Sequence, residues 1–276
     1  MDLLLILIFL RLSELSFDHG NSMTAKKSLY YIFFITMLLC ACIPNKKTAT
    51  IPLSGNQLIL IITDSTKATK GNLFCYGRNN EKNWETAKKT IQVVIGRSGL
   101  GWGTGLHKEP EMPDFPQKKE GDGRSPAGIF NLSAVFGFTP EDQMTGLKMP
   151  YIPITEMIEC VDDVKSEYYN RIVSYKAIDS VDWHSSEKMD SINLYELGVV
   201  VDHNASPVKK GDGSCIFFHL WRGPESTTSG CTAMDSTEIR EIAYWLDKSK
   251  NPVLIQLTKQ IYHDLKRKWK LPKIPK

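Results

Sequence analysis

The sequence is poor in the features that mark most specialised proteins. Six cysteines in 276 residues are too few for a disulfide scaffold. It has no internal repeat and no low-complexity tract, which excludes solenoids and fibrous chains. Blocks of like charge are also missing, and the net charge is only +3, too mild to argue for nucleic acid as a partner. The short basic end KRKWK, residues 266–270, reads as a solvated face. No apolar run reaches the roughly 20 residues of a membrane-spanning helix. What remains is 42% hydrophobic and 24% charged. That suits one globular domain of good size, or two small ones, with chain enough to bury a core.

The longest apolar run, Leu29 to Ala41, has 13 residues and follows Lys26 and Lys27. It fits the core of a secretory signal, about 7–15 residues long. It ends in Leu39-Cys40-Ala41-Cys42, which resembles a bacterial lipobox with Cys42 as the lipid-bearing first mature residue. A plain membrane anchor is the competing reading. A second apolar run, Leu3 to Leu10, lies ahead of it; a tandem signal makes little sense, so Met23 is a candidate start. The expected organisation is therefore a signal at 1–41, a lipidated tether at 42–56 rich in Pro, Lys, Thr, Ser and Gly, a domain at 57–258 and a helical basic tail at 259–276. Export would place the protein in the periplasm, lipid-anchored, at the outer membrane of a Gram-negative bacterium. It leaves Cys75, Cys160, Cys215 and Cys231 in an oxidising compartment. A bridge among them is allowed, spacing does not choose the pair, and a thiol left free invites a functional explanation.

Short β-branched runs bounded by Gly, Asn or Lys predict strands at 57–63 (QLILIIT), 72–77 (NLFCYG) and 90–96 (TIQVVIG). Similar runs lie at 197–203 (LGVVVDH), 215–220 (CIFFHL) and 252–257 (PVLIQL). Helix evidence is concentrated late. Asp235 with Glu238 makes a capping pattern, and Ile239, Ile242, Ala243 and Leu246 recur at i, i+3, i+4 and i+7. Residues 141–195 are polar and mixed and read as loops and short helices. The expectation is a mainly β domain with a helix directly after the Cys231 loop.

Three chemistries compete for the motifs. GRSGLGWGTG (96–105) has phosphate-loop glycines, but Pro110, Pro113 and Pro116 forbid the helix such a loop requires. EGDGRSPAGIF (120–130) is turn chemistry leading into a strand. Cys215 and His219 are four apart and would share a strand face; with His203 and Cys231 they could make a tetrahedral zinc set. Against this, no close Cys-x-x-Cys or His-x-x-x-His pair is present, and the site is expected to be metal-free. The third chemistry is a His219/Cys231 pair. A free thiol is only a few per cent thiolate at neutral pH, and a neighbouring imidazole raises that share. Gly230 permits a tight turn, and the start of the following helix would favour a thiolate and an oxyanion. A buried thiol beside a core histidine is the structural alternative.

The segment FFHLWRGPESTTSGCTAM, residues 217–234, resembles the active-site segment of the L,D-transpeptidase (YkuD-type) catalytic domain. GDGRSPAGIFNL, ECVDDVKSEYYNRIV and LGVVVDHN resemble stretches of a lipoprotein-like branch of that family, and the likeness runs from about residue 57 to residue 258. It implies a β-sandwich with mixed sheets, a helix after the active-site loop and short helical and loop elaborations. By position, Cys231 matches the family's nucleophile, His219 its general base, Gly230 the motif glycine and Thr228 the motif serine. Ser229 and Ala233 stand where the common pattern has a histidine and an arginine, and the His-to-Cys spacing is shorter. A backbone carbonyl near Thr228 or Ser229, or a hydroxyl, is then expected to hold the His219 ring, and Arg222 to replace the arginine. Ser229 joins the expected catalytic set; Trp221, Arg222, Thr228, Thr232 and His203 are the expected substrate contacts.

The implied reaction is cofactor-free acyl transfer on peptidoglycan stem peptides through a Cys231 thioester, with D-Ala leaving, in a monomeric protein. Water in place of an amine would make it an L,D-carboxypeptidase or a wall-anchor hydrolase. A reading from another class is a non-catalytic peptidoglycan-binding lipoprotein.

Overall fold

The computed structural model describes residues 55–107 and 115–275. The expected signal, Met23, Cys42, most of the tether, and Pro110 and Pro113 lie outside the described residues.

The strands, in chain order, are β1 (Gln57–Thr63), β2 (Lys70–Arg78), β3 (Trp84–Thr86), β4 (Ile91–Val94), β5 (Leu100–Trp102), β6 (Ser125–Gly137) and β7 (Tyr151–Pro153). They continue with β8 (Ile158–Val161), β9 (Arg171–Ser174), β10 (Ser186–Lys188), β11 (Leu197–Val201), β12 (Phe217–Leu220), β13 (Thr232–Met234) and β14 (Val253–Thr258). The helices are α1 (Ser236–Trp245) and α2 (Lys259–Leu265). The six sequence-predicted strands are all present: β1 has the expected bounds, β2 is longer, β14 is shifted by one residue, and β4, β11 and β12 are shorter where turns begin.

An 11-stranded mixed sheet runs β1-β14-β6-β11-β12-β13-β4-β2-β3, with β5 and β7 added beside β6. Because β1 pairs in parallel with β14 and antiparallel with β2, the sheet returns on itself, a sandwich with joined edges. Every residue of β1 is buried, which is why QLILIIT is a continuous apolar run without alternation. The 13-residue β6 is the spine. It bonds β14 and β11 as antiparallel neighbours and β5 and β7 as parallel ones.

α1 packs against β11 and β12, and α2 against β1 and β14. The stripe Ile239, Ile242, Ala243 and Leu246 is fully buried, and each large member contributes roughly 1.5–3 kcal/mol. Asp235 caps α1, its Oδ1 accepting from Thr237 N–H at 2.9 Å, whereas Glu238 turns to Lys89 at 2.9 Å. The helix does not follow Cys231 directly. β13 lies between, carrying the chain roughly 10 Å at about 3.3 Å per residue, so the helix start is not adjacent to Cys231.

Segment 141–195 departs from the loop-and-helix expectation. Besides short 3-10 turns it holds β7 and an antiparallel sheet, β10-β8-β9, over a small core of Val161, Val173 and Trp183. These strands are three or four residues long and mixed in polarity, too short for periodicity to register. The Cys160–Cys215 disulfide ties this sheet to the approach to β12. The C-terminal segment is helical only through Leu265. Trp269 and Leu271 then return to the main core, and Tyr76 Oη donates to Lys273 O at 3.0 Å.

Candidate active site

β12 and β13 run parallel, with Phe218 opposite Thr232 and His219 opposite Ala233. Cys231 enters β13 from the 228–230 turn, and the strand register brings its sulfur to Phe217, whose N–H donates to Cys231 Sγ at 3.3 Å. Phe217 and His219 are two residues apart on an extended strand and share a face. Both contact the Tyr195 ring edge-on, at centroid separations of 5.5 and 5.4 Å, and Tyr195 packs with Cys231 in one buried cluster, close enough for phenol and thiol to act on each other electrostatically. The Tyr195 ring thus lies between the imidazole, which it touches, and the cluster that holds the thiol.

His219 is 6% exposed, and its Nδ1 lies 2.6 Å from Leu220 O. A carbonyl only accepts, so Nδ1 carries the proton and Nε2 is left with a lone pair. The expectation of a ring-holding carbonyl near Thr228 or Ser229 is corrected: the carbonyl is that of the next residue on the same strand. Burial, with the Arg222 charge in the same direction, pushes the imidazole down to about 4. At neutral pH it is an uncharged base.

The thiol is not preactivated. Burial, followed by Glu187, pushes Cys231 up to about 12 against the opposing effects of Phe217 N–H, Tyr195 and Lys118. The sulfur's own proton faces Cys215 O at 3.4 Å. Among the described residues no hydrogen bond joins His219 to Cys231 in this resting arrangement.

The turn itself is clamped through the Cys231 carbonyl, which accepts from Thr228 Oγ1 at 2.6 Å and from Ser125 Oγ at 2.9 Å. Ser125 Oγ in turn accepts from Gly96 N–H, and Thr228 Oγ1 accepts from Gly230 N–H. Gly230 is needed for space, its backbone φ not being left-handed. A Cβ there would stand 3.2 Å from Arg124 O and 3.3 Å from Ile216 Cδ1. Ser229 is exposed, with its hydroxyl accepting from Arg97 Nη1 at 3.1 Å.

The other sequence-predicted residues are spread out. Trp221 lines a groove of about 250 Å³ with Asp64, Lys70, Asn72, Gln92 and Glu225, of which Lys70 and Glu225 form an ion pair. Neither Cys231 nor His219 lines it. Arg222 is exposed and close enough for its charge to act on His219. Thr232 turns into the core, donating to Gln256 Oε1 at 3.0 Å. His203 is 1% exposed, with Nε2 2.9 Å from Asp212 O; burial first of all pushes it down to about 4. The zinc set is broken at Cys215, whose sulfur is bonded to Cys160. Cys215 also has φ +53°, outside the extended range, so it does not share a strand face with His219.

Sequence reasoning missed Ser125, Tyr195 and Glu187. Ser125 stood inside the quoted GDGRSPAGIFNL. Tyr195 and Glu187 carried no local signal, since they come from the segment read as loops.

The mainly β domain of mixed sheets carries a free thiol, Cys231, at the entry to β13 and a neutral imidazole, His219, on the neighbouring β12. The chain belongs to the L,D-transpeptidase catalytic domain (YkuD) family, whose model matches residues 61–255. At family level this is L,D-transpeptidase-type chemistry on peptidoglycan. Among curated proteins no match was found.

Proposed function

We propose that the protein is a cysteine acyl transferase for peptidoglycan stem peptides, with Cys231 as nucleophile and His219 as general base. The observation that carries this reading is the neutral imidazole, fixed by Leu220 O with Nε2 unprotonated, on the strand beside the thiol. Cys231 Sγ attacks the carbonyl of the diamino acid at position three of a tetrapeptide stem. Its proton passes to His219 Nε2 and then to the departing D-Ala amine. An incoming amine, deprotonated by His219, resolves the thioester; water in its place would give carboxypeptidase or wall-anchor hydrolase action at the same residues. Because thiol and imidazole are both neutral at rest, proton transfer accompanies attack and does not precede it. Arg222 is the proposed anchor for a peptide carboxylate, being exposed beside His219. We place the protein in the envelope as a monomer anchored through a lipid on Cys42, which mass spectrometry of the mature N-terminus tests.

Incubation with purified muropeptides, followed by mass analysis, tests the reaction. A cross-linked or trimmed product that requires Cys231 supports it. Binding without any product supports the non-catalytic reading, which the buried, un-ionised thiol favours.

A further inference from the structure

Tyr195 is hydrogen-bonded to Glu187 and packs with Cys231 in one buried cluster, an arrangement that the reaction above does not use. Tyr195 Oη donates to Glu187 Oε2 at 2.6 Å, and phenol and thiol act on each other electrostatically. Tyr195 is 4% exposed, with its ring wedged edge-on against Phe136, Phe217 and His219. Glu187 sits on β10 directly opposite Cys160 on β8. Cys160 is bonded to Cys215, whose carbonyl receives the Cys231 thiol proton. Glu187 and Cys231 are thus both fastened to the same disulfide, which fixes their separation.

A neighbouring carboxylate shows that this arrangement is particular. Glu159, on β8, accepts from Trp183 Nε1 at 3.2 Å and Ser186 Oγ at 2.5 Å, and pairs with Lys188 at 3.2 Å. Burial pushes it up, but these donors and Tyr175 outweigh burial and hold it below the usual range. Glu187 has Tyr195 as its opposing donor. Burial, with Asp162 and Glu120 facing it, pushes it up to about 7. The groups facing Glu187 are therefore Tyr195 and two acids, with Cys231 beyond the phenol. Among the described residues no cation offsets its charge there.

Resting on the reading of Cys231 as nucleophile, we propose that Tyr195 is a further catalytic residue that hydrogen-bonds the reacting sulfur. Glu187 is then a positioning residue that decides, through Tyr195, whether the phenol proton is given to that sulfur. A phenol has one proton to donate. While Glu187 is ionised it claims that proton, and its charge stands against a thiolate. When Glu187 is neutral its own O–H donates to Tyr195 Oη, and the phenol proton turns to the sulfur, where it stabilises the thiolate as a charge-assisted bond. The sign follows directly: removing the Glu187 charge makes Cys231 more reactive, and removing the Tyr195 hydroxyl makes it less so.

The test is alkylation of the full chain by iodoacetamide across pH, with the modified cysteine located by peptide mapping and Cys75 as the internal control. Glu187→Gln is expected to raise the Cys231 rate at pH 8 about tenfold and to move the profile to lower pH, since a bond to a charged group is worth that factor. Tyr195→Phe should lower the rate by a similar factor. Adding Glu187→Gln to Tyr195→Phe should change it less than about threefold. An unchanged or slower Glu187→Gln protein overturns the proposal, as does an equal gain with and without the Tyr195 hydroxyl. If Tyr195→Phe does not fold by circular dichroism, the sign of the Glu187→Gln shift decides alone. Wild-type muropeptide turnover, measured in parallel, separates the two readings. Cys231-dependent product with no Glu187 effect refutes only this proposal, whereas the Glu187 shift without product refutes only the acyl transfer.

Discussion

Cys75 and Cys231 are both free and buried, and burial pushes each thiol up to about 12. Cys75 lies in β2 opposite Ile59, fully buried among aliphatic and aromatic side chains. Among the described residues no hydrogen bond reaches its sulfur. Cys231 is enclosed to nearly the same degree, yet Phe217 N–H and Cys215 O address its sulfur, with Tyr195 packed in the same cluster, and two hydroxyls clamp its carbonyl. Burial alone makes a thiol inert. What separates a packing cysteine from a poised one here is directional polar company, together with a neutral histidine on the adjoining strand.

The comparison breaks most sharply at the sulfur itself. Cys231→Ala should abolish any covalent adduct with an acyl donor such as a carbapenem, read by intact mass, while Cys75→Ala should keep it. An adduct that survives on Cys231→Ala would reverse the assignment. Next in size is His219→Ala, expected to leave a folded protein whose acylation is slower by roughly 10²–10⁴-fold, the usual contribution of a general base; an unchanged rate would leave His219 a core residue.

The disulfide sharpens the comparison from another side, because it holds the Tyr195 and Glu187 segment against Cys231 and touches nothing near Cys75. Cys160 and Cys215 are 55 residues apart, so replacing both with alanine should cost about 4 kcal/mol in urea unfolding on the loop-entropy argument. Where the variant still folds, the Cys231 alkylation profile should move and that of Cys75 should not.

Acid gives a smaller effect per group. His219 and His203 are both pushed down to about 4 from an ordinary 6.5, so as pH falls the unfolded chain binds their protons first. Their contribution to stability is complete above about pH 6.5 and is lost as pH falls toward 4, at roughly 3 kcal/mol each as an upper bound. Unfolding midpoints at pH 7 and 4.5 measure it; His203→Gln should flatten the slope, and an unchanged slope would contradict the assignment. The smallest expected effect is that of Cys75→Ala on stability, about 1 kcal/mol, with no change at Cys231.

Much of the frame was legible in the chain. QLILIIT announced a strand, and Asp235 with its apolar stripe announced α1. SGC following an apolar run that ends in histidine pointed to His219 and Cys231 as the candidate pair. Each of these signals is local, so spacing carries it. The small sheet β8–β10 was not legible, because strands of three or four residues show no period. Ser229 matched a motif position, yet its hydroxyl faces Arg97, while Ser125, over a hundred positions before Cys231, clamps the Cys231 carbonyl. Thr232, expected at substrate, turns to Gln256 because alternate residues of β13 face opposite sides.

By itself, then, the sequence determined the mainly β character, the strand carrying His219, the Gly230–Cys231 turn and the capped helix, because propensity, periodicity and capping act over a few neighbouring residues. Tertiary structure alone decided that Cys160 and not Cys75 bonds Cys215, and that Leu220 O fixes the imidazole. It also decided that three strand residues separate Cys231 from the helix start, and that Tyr195, bonded to Glu187, packs in the cluster that holds the sulfur. The state of the site depends on these contacts, because ionisation and hydrogen bonding respond to what lies within a few ångströms in space, and folding brings that company from distant parts of the chain.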